Sequence, residues 1–272
     1  MLTLLEVRSQ GGILGLSLMD PELGYDVQDI QGLDPVKATL VSSSFAQQDG
    51  AQYQSSRRET RNILLRLGFN PDYAIDDVRA LRTRLYPFFM PKTPVSLRFF
   101  MDDDLTVDIP GVVESFESAM FSQEPVVDIS VMCFDPDFIE PDPVVVAGST
   151  TAGSTVSTLN YTGTVEAGIQ FQLNVNRTLT EFTIYHQAPD GSLRSMDFQG
   201  SLVSGDVVVI NTVSGNKYAE LTRSGTTSSI LYGISPQSNW LELDTGANGI
   251  RVYAEGAAIP YTITYTRRYG GL

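Results

Sequence analysis

The sequence predicts a mainly β protein in two domains, with one helix in the first. Three observations predict it. Short runs of alternating apolar and polar residues recur along most of the 272 residues. One stretch alone shows apolar residues at spacings of three and four, the mark of a helix with one buried face. The character of the chain also changes near residue 145. Residues 1–145 hold 23 acidic against 11 basic side chains, whereas residues 146–272 hold 9 against 7 and are rich in Gly, Ser, Thr and Asn.

A hydrophobic content of 42% lets each half bury its own core. The single cysteine, Cys133, excludes an intramolecular disulfide and a cysteine-based zinc site, and its neighbours Val131, Met132 and Phe134 predict a core position. Residues 1–8 lack the basic and then apolar pattern of a signal peptide, and no apolar run approaches the ~20 residues that cross a bilayer. The expectation is a soluble protein made without export signals. A net charge of −14 argues against nucleic-acid binding, since the only dense basic group is Arg57-Arg58 with Arg61.

In the first domain, Gly32-Leu33-Asp34-Pro35 predicts a turn and Val36–Phe45 an extended segment. Gln47-Gln48-Asp49-Gly50-Ala51 predicts a tight turn, because Asp-Gly tolerates positive φ. Ser55–Glu59 returns the chain to a strand with Ile63, Leu65, Leu67 and Phe69 facing inward. The helix is predicted to start at Asn70-Pro71-Asp72, with Asp72 as N-cap and Asp76 and Asp77 in the early turns. Ile75, Val78, Leu81 and Leu85 form its stripe, Arg79, Arg82 and Arg84 fill later turns, and Pro87 ends it. Phe88-Phe89-Met90 is expected to lie under the sheet. Val95–Met101, Leu105–Ile109, Val112–Glu117 and Pro125–Phe134 then read as an antiparallel meander.

Prolines at 136, 141 and 143 mark a boundary, and Gly148–Ser157 reads as a flexible lead-in. The expected division is residues 1–140, a linker over 141–157, and a second domain over 158–272. In that domain short strands are predicted around Phe171, Ile184, Val207/Val209, Leu221, Ile230/Tyr232, Trp240–Leu243, Val252 and Ile263. Gly191, Gly200, Gly205, Gly215, Gly225 and Gly246 separate many of them. Such spacing without a helical period predicts a β-sandwich.

Two sets of residues carry a resemblance. The first is Gly32-Leu33 with Asp34-Pro35, Asp49-Gly50-Ala51, Arg57–Leu67 and Cys133–Phe138; the second is Gly205–Thr212, Ser238–Leu243 and Gly246–Ile250. In order and spacing they resemble the distal tail proteins of bacteriophages with long, non-contractile tails. The resemblance implies a tail-tube-like belt domain followed by a galectin-like β-sandwich. It also implies a structural protein of the virion, made in the host cytoplasm and placed at the distal end of the tail. There the belt domains would close into a homohexameric ring between the major tail tube protein and the tail-tip or baseplate proteins, and a receptor-binding protein is a further implied partner. DNA would pass through the lumen without specific binding. No cofactor, metal or membrane is implied, and no catalysis.

Physical argument reaches the same kind of assembly. A head-to-tail contact that closes gives a ring, and it needs a strand edge or hairpin that a neighbour can pair with. Phe45–Arg58 is the candidate, with Asp49, Gly50, Tyr53, Arg57 and Arg58 as its interface residues. Arg57, Arg58 and Arg61 are expected to make ion pairs between subunits. An acidic lumen would repel phosphates and let DNA slide.

Asp102-Asp103-Asp104 offers carboxylates to Ca²⁺ but lacks the alternating loop frame, so a solvated turn is expected. His186, the one histidine, has no nucleophile motif beside it and is expected to be structural or on the surface. Paired carboxylates of a glycosidase are not apparent among the scattered acids of the second half. Trp240 stands as a possible sugar-stacking residue or as part of the sandwich core and rim. The alternative function is a carbohydrate-binding module attaching to host surface glycan, with a cell-wall hydrolase as the remaining rival.

Overall fold

The computed structural model describes residues 1–18, 23–46, 49–119 and 124–272. Two compact units result: Met1–Pro141 with Tyr269–Leu272, and Asp142–Arg268. The chain thus leaves the first unit once and returns to it for four residues. Each unit has its own apolar core.

The first unit contains β1 (Leu2–Ser9), β2 (Gly12–Ser17), β3 (Tyr25–Gln31), β4 (Ala38–Ser43), β5 (Gln52–Arg58) and β6 (Arg61–Phe69). Helix α1 (Val78–Phe89), β7 (Pro94–Met101), β8 (Thr106–Ala119), β9 (Val126–Cys133) and β10 (Phe138–Ile139) follow. Nine strands form one sheet; seven of them make its main path in the order β2-β1-β7-β8-β9-β6-β3, and β10, paired with β8, and one last strand beside β10 lie off this path. All neighbours on this path are antiparallel, which suits a sheet with one face packed and one face wet. Alternation decides the faces: Val7, Leu97, Ile109, Ile129 and Leu65 are buried, and their neighbours along each strand are half-buried or exposed, apart from Ser130, whose hydroxyl bonds Asn62 and Glu114. Cys133 ends this row fully buried, and burial pushes its thiol up to about 11.

Helix α1 covers the apolar face with Leu81, Leu85 and Phe89. It begins later than the sequence predicts. Asp77 caps it, its side chain accepting the Ala80 N–H at 2.7 Å, whereas Asp72 closes a separate turn by accepting the N–H of Ala74 at 3.0 Å. Ile75 therefore lies outside the stripe and is 79% exposed. Pro87 does not stop the helix. In the last turn it forfeits a single bond, and Met90 N–H still reaches the Tyr86 carbonyl at 3.1 Å. Of Phe88-Phe89-Met90, Phe89 is fully buried, Phe88 partly, and Met90 is exposed.

The second unit holds β11 (Val144–Ser149), β12 (Ser157–Tyr161), β13 (Ala167–Gly168), β14 (Gln170–Asn174), β15 (Leu179–Gln187), β16 (Leu193–Leu202), β17 (Val207–Asn211), β18 (Tyr218–Arg223) and β19 (Thr226–Ser229). A 3₁₀ turn at Leu231–Gly233 precedes β20 (Glu242–Leu243), β21 (Gly246–Tyr253) and β22 (Pro260–Tyr265), after which β23 (Arg268–Tyr269) pairs with β10 as the chain returns to the first unit. A six-stranded sheet, β11-β22-β14-β17-β18-β19, and a four-stranded one, β12-β21-β15-β16, enclose one core. Phe171 sits at its centre, with ring centroids 5.9 Å from Phe182 and 5.5 Å from Tyr261.

Several expectations need correction. Val144–Ser149 belongs to no linker: it pairs with β22 along its whole length, because its valine run supplies a strand that the following Gly and Ser obscure. The strand expected at Val207/Val209 is β17, in which Val208 and Ile210 point inward. Tyr232 is in the 3₁₀ turn and exposed, so Ile230/Tyr232 is not a strand. Gly200 lies within β16, where a Cβ would meet the Phe198 ring at 2.8 Å. Trp240 precedes β20 rather than starting a strand.

Two outcomes are expected. Phe171→Ala costs about 3–5 kcal/mol, the usual range for emptying a buried aromatic site; hydrogen exchange then speeds in β14 and β17 and stays unchanged in β6 and β9. The second concerns Asp206, whose buried carboxylate accepts two Arg223 bonds, at 2.9 and 2.6 Å, and the Val203 N–H at 2.8 Å. Arg223 holds this carboxyl below the usual range, so its stabilisation is complete above the ordinary carboxylate pKa and is lost as pH falls through the depressed one. Acid titration of thermal stability should show this loss in the wild type and a flatter profile in Asp206→Asn.

Candidate assembly surface

Strands β4 and β5 pair only with each other and form a separate two-stranded sheet. Neither has a buried residue. Leu40 is 67% exposed, Phe45 56% and Tyr53 61%, so the hairpin carries apolar side chains with no cover in this chain. Residues 44–51 connect the strands, a longer loop than the predicted tight turn; Gln47 and Gln48 lie outside the described residues. Gly50 has φ +90°, as its place in the turn requires. The Tyr53 hydroxyl donates to Ser56 Oγ at 2.8 Å, and Arg57, exposed, stands opposite Thr39.

The five predicted interface residues therefore share one hairpin but not one role. Asp49, Gly50 and Tyr53 lie toward the tip. Arg58 lies at the root and pairs with the buried Asp137, so it is committed within the unit rather than to a neighbour. Arg61 is likewise not available for ion pairs between subunits. Only 1% exposed, it donates from Nε to the Pro136 carbonyl at 2.7 Å. Its terminal nitrogens reach the carbonyls of Gly32, of Asp34 at 2.7 Å and of Gly270 at 2.6 Å. The guanidinium also lies over the Phe138 ring, 4.4 Å from its centroid.

The face of the nine-stranded sheet opposite α1 is polar, and register orders its charges. Asp29, Arg66, Asp128 and Glu117 stand in line across β3, β6, β9 and β8. Arg66 lies 3.4 Å from Asp128, leaving two carboxylates in surplus, and Asp128 and Glu117 directly opposed. A second row, Glu6, Arg98 and Asp108 on β1, β7 and β8, is balanced: Arg98 bonds both Asp108 oxygens at 2.6 and 2.7 Å, and Arg8 bonds Glu6 at 2.7 Å. The acid surplus is thus concentrated toward the β3 side. Edge strands β2 and β3 each have one neighbour in this sheet.

The other candidates are dispersed. Trp240 packs against the sandwich core, with the Lys217 ammonium 5.7 Å from its ring centroid. His186 is buried, its Nε2 2.9 Å from Asn248 Oδ1. Asp102-Asp103-Asp104 is an exposed turn in which Asp104 has φ +63°. Among the described residues no cluster of three or more His, Cys, Asp or Glu suits a metal ion, and no helix is long and apolar enough to cross a membrane. Sequence reasoning missed the charge rows and the Arg61 cluster. The only available sign of the latter was an arginine opening an otherwise apolar inward row, Arg61, Ile63, Leu65, Leu67.

Comparison with known proteins places this architecture. Residues 162–269 match the family model described as siphovirus-type tail component, C-terminal domain. The crystal structure of the Dit protein (gp 19.1) of phage SPP1, described as a paradigm of the hub adsorption apparatus in phages infecting Gram-positive bacteria, aligns with a TM-score of 0.70. The alignment covers 97% of this chain and 98% of that one at 16% identity. A chain of the phage P2 baseplate in its activated conformation with calcium aligns over 100% of both chains, at 8% identity and a TM-score of 0.47. The corresponding strontium structure gives 99% of both chains, 8% and 0.46. No curated protein sequence matches the chain. Residues 162–269 thus match the C-terminal domain of the siphovirus-type tail component family, and the chain as a whole shares the fold of the SPP1 Dit protein over nearly its whole length.

Proposed function

We propose that this protein is the distal tail hub. Copies of the first unit close into a homohexameric ring that joins the tail tube to the tail-tip or baseplate proteins, and the protein acts through fixed geometry without turnover. The observation that carries this reading is the β4–β5 hairpin. A two-stranded sheet is at best marginally stable alone, and this one exposes Leu40, Phe45 and Tyr53. A second copy of the chain is the proposed cover, because a heterologous contact repeated around an axis needs one projecting element and one receiving surface on every subunit. The receiving surface is assigned to an open edge of the neighbour's nine-stranded sheet, β2 or β3. Tip-side residues Asp49, Gly50 and Tyr53 make the contact together with the exposed Arg57 nearer the root, and Arg58 orients it from the root.

The polar sheet face lines the lumen in this reading. Its surplus carboxylates repel phosphate and keep DNA from adhering. The second unit is left to contact tail-tip or receptor-binding proteins. Sugar stacking on Trp240 gains no support from its position against the core and beneath Lys217.

Electron microscopy of the wild type with its tube protein should show a rotationally symmetric annulus, and Leu40→Asp with Tyr53→Asp should abolish it while the circular dichroism of the monomer stays the same. A wild type that never forms an annulus with the tube protein would refute the ring. Rings carrying Glu117→Lys with Asp128→Lys should retain double-stranded DNA at low salt, where wild-type rings do not, and lose that retention as salt rises.

A further inference from the structure

The hairpin's direction depends on residues far away in sequence. Its outgoing limb leaves through Gly32–Lys37 and its returning limb ends at Arg58–Arg61. Its root is also held by the Glu59 N–H, which bonds the Lys37 carbonyl at 3.0 Å, by the Thr39 hydroxyl, which donates to the Glu59 carboxylate, and by Arg58, which pairs with Asp137. Arg61 ties the two limbs together by donating to Gly32 and Asp34, and the same guanidinium donates to Gly270. Gly270 belongs to the returning segment Tyr269–Leu272, which has its own seat. The Tyr269 hydroxyl bonds Glu140 at 2.6 Å, and the Leu272 N–H bonds the Leu33 carbonyl at 3.0 Å. Gly271 lies so close to the outgoing limb that a Cβ would fall 2.7 Å from Pro35 Cδ and 2.9 Å from Pro35 N.

We propose that Tyr269–Leu272 is a latch that fixes the angle of the β4–β5 hairpin, by completing the bonding of Arg61 and pressing on Leu33-Asp34-Pro35. With the latch seated, Arg61 has every acceptor it needs and residues 32–35 have one position. With the latch displaced, a buried guanidinium N–H loses its partner and the outgoing limb loses the surface it rests on. The fully buried core of the first unit is built from α1 and the sheet; of the latch, Tyr269 and Leu272 are partly buried and pack against its margin, as Leu33 of the outgoing limb does. The latch's value for assembly rests on the ring reading, but its mechanics do not.

The test uses the full-length monomer with spin labels at Ala51→Cys, beside the hairpin tip, and Thr83→Cys, on the exposed side of α1; the native Cys133 is fully buried. Electron–electron dipolar spectroscopy should give one narrow distance distribution. Adding Gly271→Val, or deleting Gly270–Leu272, should broaden and shift it. The Glu59 amide should then exchange at least ~10-fold faster, the scale of one lost bond to a charged group, with exchange in β6 and β9 unchanged. An unmoved distribution in both variants would overturn the proposal. So would broadening that comes with lost protection in β6 and β9, since the segment would then be a strut of the whole unit. Because the measurement is made on monomers, its failure is distinct from a failure of ring formation.

Discussion

A buried guanidinium organises the first unit. Arg61 carries its charge into the interior without a carboxylate of its own, which ordinarily costs several kcal/mol. Planarity offsets that cost. Five N–H donors in a rigid fork can meet carbonyls from separate directions, and here they meet Gly32, Asp34, Pro136 and Gly270 while the flat face rests on Phe138. Burial lowers the Arg61 pKa, the nearby Cys133 and Asp137 acting in the opposite direction, yet an arginine so bonded stays charged. Lysine, with three donors on one atom, could not serve the same set.

This one side chain explains why scattered fragments of the first half belong together. Gly32-Leu33, Asp34-Pro35, Arg57–Leu67 and Cys133–Phe138 look unrelated in sequence, and they converge on Arg61. Gly32 has φ +89°, and a Cβ there would sit 2.1 Å from the Asn62 carbonyl oxygen, so the first acceptor is delivered by a residue that only glycine can be. Asp137 is held beside the cluster by Arg58. The returning segment contributes from 209 residues away.

Period-two patterning was legible because it states directly which face a residue takes: Ile63, Leu65 and Leu67 point to the core without further information. The antiparallel meander and the sandwich follow from the same signal. The helix start was less legible, since Asn70-Pro71-Asp72 is as good a cap by composition as Asp77. What decides is tertiary: Asn70 N–H is taken by the Gly24 carbonyl and the Tyr25 hydroxyl bonds the Leu81 carbonyl at 2.8 Å. Burial raises that hydroxyl's pKa to about 12. The role of Arg61 was hidden for a different reason. Its acceptors are backbone carbonyls, which every residue has, so no residue type marks them. Charge rows were hidden because they exist only once register is known.

In the proposed ring the hairpin and the acid rows would pull assembly in opposite directions, and that opposition sets what the ring contact would have to supply. On one subunit, Asp128 and Glu117 are exposed and salt screens them beyond about 8 Å. Brought around a common axis, the same rows face their copies across a confined space, and repulsion grows with each subunit added. Burial at the contacts can offset this, and β4–β5 with its loop offers four uncovered apolar side chains for it, Leu40, Val41, Phe45 and Tyr53. A hairpin free to swing would lose part of that gain to the entropy of being ordered at the moment of contact. Under that proposal a root fixed in advance by Arg61 avoids the loss, so a fully buried charge and the uncovered hairpin would serve a single assembly step.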